Sequence, residues 1–319
     1  MNIQRWIARR GANWLRLEVL LKQAEKKGLK SLPASEIREL ASLYRSVSAD
    51  LARARTQQVS NILIQNLQLL TTRAYTQIYQ GSRRQEWQAV LQFYSWGLPS
   101  IIQQTFPYIA FATALFLLGA LVAWWYAWQD PSFMSLIVPE SMIIKVRDEH
   151  ELWMGSIVGI EPLASSNIMI NNLSVSFGAV AGGITAGAYT AFLMLFNGLL
   201  IGAVGTLVGQ NNLAYPFWAF VFPHGSIELP AIFFAGGAGF LIGKALLFPG
   251  KYRRADALKF YGSLAVQLVF AIVPMLIIAG TIEGFFSPNP RVPLPLKYLV
   301  GMGLFVFLVW YSNRKKKEI

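Results

Sequence analysis

The sequence predicts an all-α, polytopic membrane protein with about six transmembrane helices and a separate N-terminal helical module. Three observations carry this. Of 319 residues, 54% are hydrophobic and only 14% charged, a balance that suits a bilayer better than water. The long apolar runs begin only after residue 105, whereas the first hundred residues are rich in Arg, Lys and Gln and hold no run long enough to span. Glycines also recur four apart, as in Gly178 and Gly182, Gly183 and Gly187, Gly198 and Gly202, Gly205 and Gly209, and Gly239 and Gly243. That spacing puts each pair on one helix face, where two backbones can approach closely.

Residues 1–104 form the module. From Asn2 to about Lys27 the residues Ile3, Trp6, Ile7, Trp14, Leu17 and Leu21 recur at helical steps, and Gly28 ends the pattern. A second helix starts near Pro33 with the stripe Ile37, Leu40, Tyr44, Val47 and Leu51. A third presents Leu63, Leu67, Leu70, Ala74 and Ile78 before Gly81-Ser82 closes it. Arg83 and Arg84 open a fourth, amphipathic stretch carrying Trp87, Val90, Leu91 and Tyr94, suited to a membrane surface. A small helical bundle accounts for all four stripes without a dedicated binding face.

Residues 105–319 form the membrane domain, with spans expected near 107–128, 170–187, 189–209, 228–248, 263–282 and 298–312. Trp124, Trp125, Tyr126 and Trp128 make an aromatic belt at the far end of the first span. An acidic connection follows, with Asp130, Glu140, Asp148, Glu149, Glu151 and Glu161 against Lys145 and Arg147. Its middle, Ser141 to Ile157, reads equally as an amphipathic helix or as a solvated loop. The uncharged run from Asn171 to Gln210 is too long for one span and should bend near Gly183 to Ala188. The prolines between Pro216 and Glu228 argue for an interrupted helix or a re-entrant turn, preceded by Gln210, Asn211 and Asn212.

Six spans put the N-terminal module, the loop at Lys251, Arg253 and Arg254, and the tail Arg314-Lys315-Lys316-Lys317 on one side of the membrane. The rule that positive segments stay inside makes that side cytoplasmic, with both termini there. The expected location is the bacterial cytoplasmic (inner) membrane, multi-pass and in contact with lipid. The first thirty residues mix Arg9, Arg10, Arg16, Glu18 and Lys22 among apolar positions, unlike a secretory signal. The formal net charge of +12 then needs no nucleic acid, and no nucleic-acid motif accompanies it. With no cysteine there is no disulfide, thiolate site or cysteine nucleophile.

The segment Pro223-His224-Gly225-Ser226-Ile227-Glu228 concentrates the chemistry. If it is helical, His224 and Glu228 share a face, and the carboxylate can hydrogen-bond the imidazole and fix its tautomer. Polar groups in a membrane are costly, so such a pair is a functional candidate. The favoured reading is a polar clasp between helices, with catalysis the alternative. A zinc hydrolase needs more ligands, and the other histidine, His150, lies in the acidic loop, so no metal site or cofactor is expected. Ser226 beside His224 does not establish a catalytic triad, and no nucleotide-binding motif is present. Asn171, Asn172 and Asn197 suit hydrogen bonds across helices better than a polar path.

Tyr44-Arg45 with Asp50-Leu51-Ala52-Arg53-Ala54-Arg55, then Tyr75 to Tyr79, then Asn197-Gly198 with Gly202, then His224-Gly225-Ser226-Ile227-Glu228 occur in this order along nearly the whole chain. In this combination the chain resembles the stage II sporulation protein M family of integral membrane proteins. The resemblance implies a membrane scaffold, since the sporulation member works with peptidoglycan-degrading partners during engulfment. The family also occurs outside spore formers, so sporulation itself does not carry over. His224, Gly225, Glu228, Asn197 and Gly198 are the family-type positions, with a role in structure or partner binding. Gly178, Gly182, Gly183, Gly187, Gly202, Gly205 and Gly209 are assigned to helix packing.

The function expected is therefore a non-enzymatic scaffold, as a homo-oligomer and specifically a dimer, that positions envelope-remodelling proteins. The alternative is a channel, transporter or lipid-handling protein using His224 and Glu228. An intramembrane hydrolase ranks third.

Overall fold

The computed structural model describes residues 3–57, 59–80 and 83–315, and no strand occurs among them. Expectations for Asn2, for the break at Gly81-Ser82 and for Lys316 and Lys317 fall outside the described residues. The chain divides into two compact units, Met1–Tyr94 and Ser95–Ile319. The first helix of the second unit starts at Leu98, with Pro99 in its first turn, six residues before the end of the module expected over residues 1–104.

The first unit consists of α1 (Ile3–Lys27), α2 (Ala34–Thr56), α3 (Asn61–Tyr75, followed by a π turn over Thr76–Gln80) and α4 (Arg83–Gln92). The stripes meet as a core in which Leu17, Leu20, Leu21 and Ala24 face Leu40, Val47, Leu51 and Ala54, with Leu67, Leu70 and Ala74 closing the third side. On α4, Trp87, Val90 and Leu91 are exposed.

A buried carboxylate ties α1 to α2. Asp50, 4% exposed, accepts two bonds from Arg10 Nε at 3.0 and 2.8 Å and one from Trp14 Nε1 at 2.9 Å, and Arg10 also reaches Ser46. The outer pair is different in kind. Arg16 donates to Glu39 at 3.0 and 2.8 Å in solvent and, chiefly through that hydrogen bond, holds its carboxyl below the usual range. Any contribution to stability is therefore present at neutral pH and lost as pH falls through the lowered value. Exposed pairs contribute little. Glu39→Gln is expected to leave the melting profile at pH 7 unchanged, a result that differential scanning fluorimetry would check.

The second unit holds α5 (Leu98–Gln129), α6 (Glu140–Arg147), α7 (Glu161–Ala181), α8 (Ala188–Gln210), α9 (Ala214–Leu247), α10 (Arg254–Thr281, continued by a π turn over Ile282–Phe286) and α11 (Leu294–Ser312). All of these except the short α6 are long and apolar enough to cross a membrane, making the protein multi-pass and all-α. Apolar side chains on the outer faces are left uncovered, as at Leu117, Leu121, Leu299, Met302 and Val306, the pattern of helices solvated by lipid. Trp124, Trp125, Tyr126 and Trp128 are likewise exposed at the end of α5.

α9 is the axis of the unit, buried over a larger share of its most apolar window than any other candidate span. Small residues let its neighbours come in to backbone contact. A methyl on Gly236 would strike Ala112 and Met194 at 2.7 Å, and one on Gly237 would strike Ile109 at 2.8 Å. Gly239 abuts the Ala179 carbonyl and the Thr190 hydroxyl, and Gly243 abuts Ala186 at 2.9 Å. α5 and α8 interlock similarly: Gly198 and Gly202 lie on the carbonyls of Phe116 and Ala120, and Gly119 lies reciprocally on that of Leu195. Gly182 packs on Thr190 and Gly183 on the Gly239 carbonyl. Gly187, at φ 88°, supplies the left-handed residue that starts α8 after the 3-10 turn Gly182–Thr185.

Close backbone approach does not extend to every glycine assigned to helix packing. Gly178 and Gly205 would meet only side chains, Leu193 at 3.4 Å and Trp218 at 3.3 Å. Gly209 faces open space in the last turn of α8.

Two further expectations are corrected. The region from Pro216 to Glu228 is neither interrupted nor re-entrant, because α9 runs unbroken through Pro223 and Pro230. Pro216 sits in the first turn, where no intrahelical donor is required. Pro223 and Pro230 each remove one internal bond, to the carbonyls of Ala219 and Ser226, a loss that packed neighbours allow a membrane helix to absorb. Separately, the Ser226 hydroxyl donates to the Pro223 carbonyl at 3.0 Å. The acidic connection is not a bare solvated loop either. Its short helix α6 and flanking turns bury Met134, Val138, Ile143, Val146 and Met154 against Ala123, Ala127, Ala203, Leu207 and Phe217, so it is a packed cap on one end of the bundle.

The opposite end is basic and aromatic. Lys244 donates to the Tyr108 hydroxyl at 2.6 Å and lies over the Tyr261 ring, while Gln103 donates to the carbonyls of Ser312 and Arg314 at 2.8 and 3.0 Å, capping α11.

Candidate functional site

Because α9 stays helical, His224 and Glu228 are one turn apart on the same face. His224 lies roughly 30 Å along the helix from Lys244, at the end of the bundle that carries the acidic cap. The π turn at the end of α10 brings Glu283 and Ser287 to this face of α9, and Lys297 arrives from the first turn of α11. Close approach of α7 supports the turn: Gly284 abuts Ser165, whose hydroxyl donates to the Gly280 carbonyl at 2.9 Å.

The imidazole of His224, 5% exposed, is held on three sides. Its Nδ1 shares a hydrogen bond of 3.1 Å with Ser287 Oγ, and the Phe220 ring stands edge-on at 5.3 Å. Its Nε2 faces Glu283 Oε1 at 3.8 Å. Ser287 is completely buried, and its carbonyl accepts from Lys297 Nζ at 2.6 Å, so the ammonium caps the end of α10. One donor atom each from His224, Glu228 and Glu283 lies within 4.8 Å of the other two.

The clasp thus differs from the one expected. Glu228 is expected to orient the imidazole, yet the hydrogen bond to the ring involves Ser287, and Glu228 Oε2 is shut off from solvent with no hydrogen-bond partner among the described residues. Gly225 is buried inside α9 and faces Val221 of its own turn. Asn197 is not in the cluster, since its amide donates to Leu193 of its own helix at 2.8 Å, and Gly198 serves the α5 contact. Ser226 bonds to its own helix, as described above, and is not aimed at the imidazole. Asn172 accepts from Asn171 at 3.3 Å, a contact within one exposed surface.

Glu283, Ser287 and Lys297 escaped the sequence reading. Glu283 is the first acidic residue after Asp256, one position past the expected end of its span, and that isolation in an apolar run was the available signal. Nothing local in the sequence singles out Ser287 or Lys297.

Comparison with known proteins adds two matched families and one relative. Residues 4–80 match a domain of unknown function (DUF8413), and residues 112–288 match the stage II sporulation protein M family. The second match covers more than half of the chain and includes His224, Glu228, Glu283 and Ser287. The chain is similar to the uncharacterized protein MJ0793 of Methanocaldococcus jannaschii, with 30% identity over 127 residues, 39% of this chain and 70% of the other. No solved structure matches the chain. The six spanning helices, and a family match that runs from within α5 to the residue after Ser287, establish that this chain belongs to the stage II sporulation protein M family.

Proposed function

We propose that the protein is a membrane scaffold, without catalysis of its own, that positions cell-envelope remodelling partners. The observation that carries this reading is the closure of the bundle. α5 meets α8 at Gly198 and Gly202 and meets α9 at Gly237, and α7 meets α9 at Gly239, all in backbone contact, which favours a rigid framework over helices parting around a solute. The His224 cluster fits the same role, joining α9 to the end of α10 and, through Ser287, to Lys297 of α11.

The charge asymmetry supports a cytoplasmic-membrane orientation with both termini inside. Lys244, Lys251, Arg253, Arg254, Arg314 and Lys315 lie toward one end of the spans, and Asp130, Glu140, Glu149 and Glu151 toward the other. The acidic cap would then face the envelope as the docking surface, and the uncovered apolar faces supply room for a homodimer contact.

Reconstituted protein should pass no ions or small solutes across liposomes, and photocrosslinkers on the exposed side of α6 should capture peptidoglycan hydrolases in cells. Glu228→Gln should preserve both abundance and capture. Solute flux in the parent that Glu228→Gln abolishes, with capture unchanged, would refute the scaffold in favour of transport.

A further inference from the structure

We propose that His224, Glu228 and Glu283 bind one divalent transition-metal ion of the Zn2+ class, locking α9 to the π turn at the end of α10. The inference rests on the cluster's geometry and stands apart from the scaffold reading.

Two carboxylates and an imidazole converge in a largely buried space. Among the described residues no lysine or arginine pairs with either carboxylate, and Lys297 is turned to the Ser287 carbonyl instead. Two uncompensated carboxylates in such a place are costly, so the cluster requires protons or a cation. Three details favour the cation. Glu228 Oε2, shielded from solvent, has an acceptor capacity that no hydrogen bond among the described residues uses. The 3.8 Å separation of His224 Nε2 from Glu283 Oε1 is too long for a hydrogen bond. It is close to the roughly 3.3–3.5 Å between two ligands of a tetrahedral ion bound at about 2.0–2.1 Å.

The third detail is the outer ring of contacts. When Nδ1–H is donated to Ser287 Oγ, Nε2 presents its lone pair to the carboxylates, the arrangement in which a second-layer bond fixes the tautomer of a metal-ligating histidine. The Lys297 bond to the Ser287 carbonyl fixes that serine in turn. A set of one nitrogen and two carboxylate oxygens suits Zn2+ or Co2+ and leaves a fourth position for water. A full Zn2+ complement requires only that Glu228 and Glu283 draw in from a cluster whose donor atoms already lie within 4.8 Å.

The test uses the full chain in nanodiscs, first stripped with a chelator, then loaded with Zn2+ or Co2+ and dialysed. The parent should retain about one Zn2+ per chain, and the Co2+ form should show visible ligand-field absorption of a four- or five-coordinate ion. Glu283→Gln and Glu228→Gln keep side-chain shape, and each should weaken binding at least tenfold. Ser287→Ala, a positioning change, should weaken it about 10–100-fold with the absorption bands shifted but present. Glu149→Gln in the acidic connection should bind as the parent does. The proposal is overturned if the stripped parent takes up no metal, or if Glu283→Gln retains as much as the parent. It is also overturned if both glutamine variants melt above a metal-free parent that added Zn2+ fails to stabilise, the signature of a carboxyl pair that merely shares protons.

Discussion

Gly202→Leu should leave almost no folded membrane unit, and Gly202→Ala should destabilise it by about 1–3 kcal/mol or more, the range for overpacking a close-packed interior. The expectation follows from what a new side chain would strike. At Gly202 the obstacle is the Ala120 main chain, its Cα at 2.8 Å and its carbonyl closer still. A flexible side chain can turn aside, but a backbone carbonyl moves only with its helix. Relieving the clash would push α5 from α8 along a seam that also includes Gly198 and Gly119, losing dispersion contacts at each. Gly209→Ala is the control, because nothing lies within 4 Å of that position. It should be neutral or gain a few tenths of a kcal/mol from helix propensity. Yield of monodisperse protein and the thermal midpoint in detergent read both changes, and equal midpoints for Gly202→Ala and Gly209→Ala would refute the seam.

Asp50→Ala should cost the N-terminal unit about 3–5 kcal/mol, the effect of removing one partner of a buried ion pair. The carboxylate takes three side-chain hydrogen bonds, two from Arg10 and one from Trp14, on the seam between α1 and α2. Its loss strands the Trp14 indole N–H and leaves the Arg10 guanidinium only its bonds to Ser46. Because the Arg10 side chain is 29% exposed, water can reach part of it, and the lower end of the range is expected. Asp50→Asn retains an acceptor for Trp14 and should lose less. Urea unfolding followed by Trp14 fluorescence would measure both. A loss below about 1 kcal/mol for Asp50→Ala would mean that the charge makes no net contribution.

What the sequence made legible depended on period. In the first unit Leu17, Leu40, Val47 and Leu67 were found from three- and four-residue steps, because water forces an amphipathic helix to declare its buried face. In the membrane that contrast vanishes. Gly198 and Gly202 were nonetheless recognisable, since small size marks a lipid-phase interface as polarity marks a soluble one. The same rule overreached at Gly209, where spacing says nothing about whether a neighbouring helix is present. The prolines misled for a related reason. Reading Pro223 as a break treats α9 as if it stood alone, whereas packed neighbours surround it. The imidazole's partner is Ser287 and not Glu228, because Ser287, 63 positions from His224, is brought to it only by the path of α10.

One extra residue in the turn Ile282–Phe286 also resets the register of α10. Each residue of an α-helix advances about 100° around the axis, so the α-helical count fails across this stretch and positions before and after it lie on different stripes. Thr281 and Ser287 therefore cannot be assigned to faces by one continuous helical wheel. A relative one residue shorter here would carry its serine about a quarter turn or more away from the imidazole, even if every letter on either side were the same. Within the family, the length of this short turn would then divide chains that can assemble the cluster from chains that only appear to encode it.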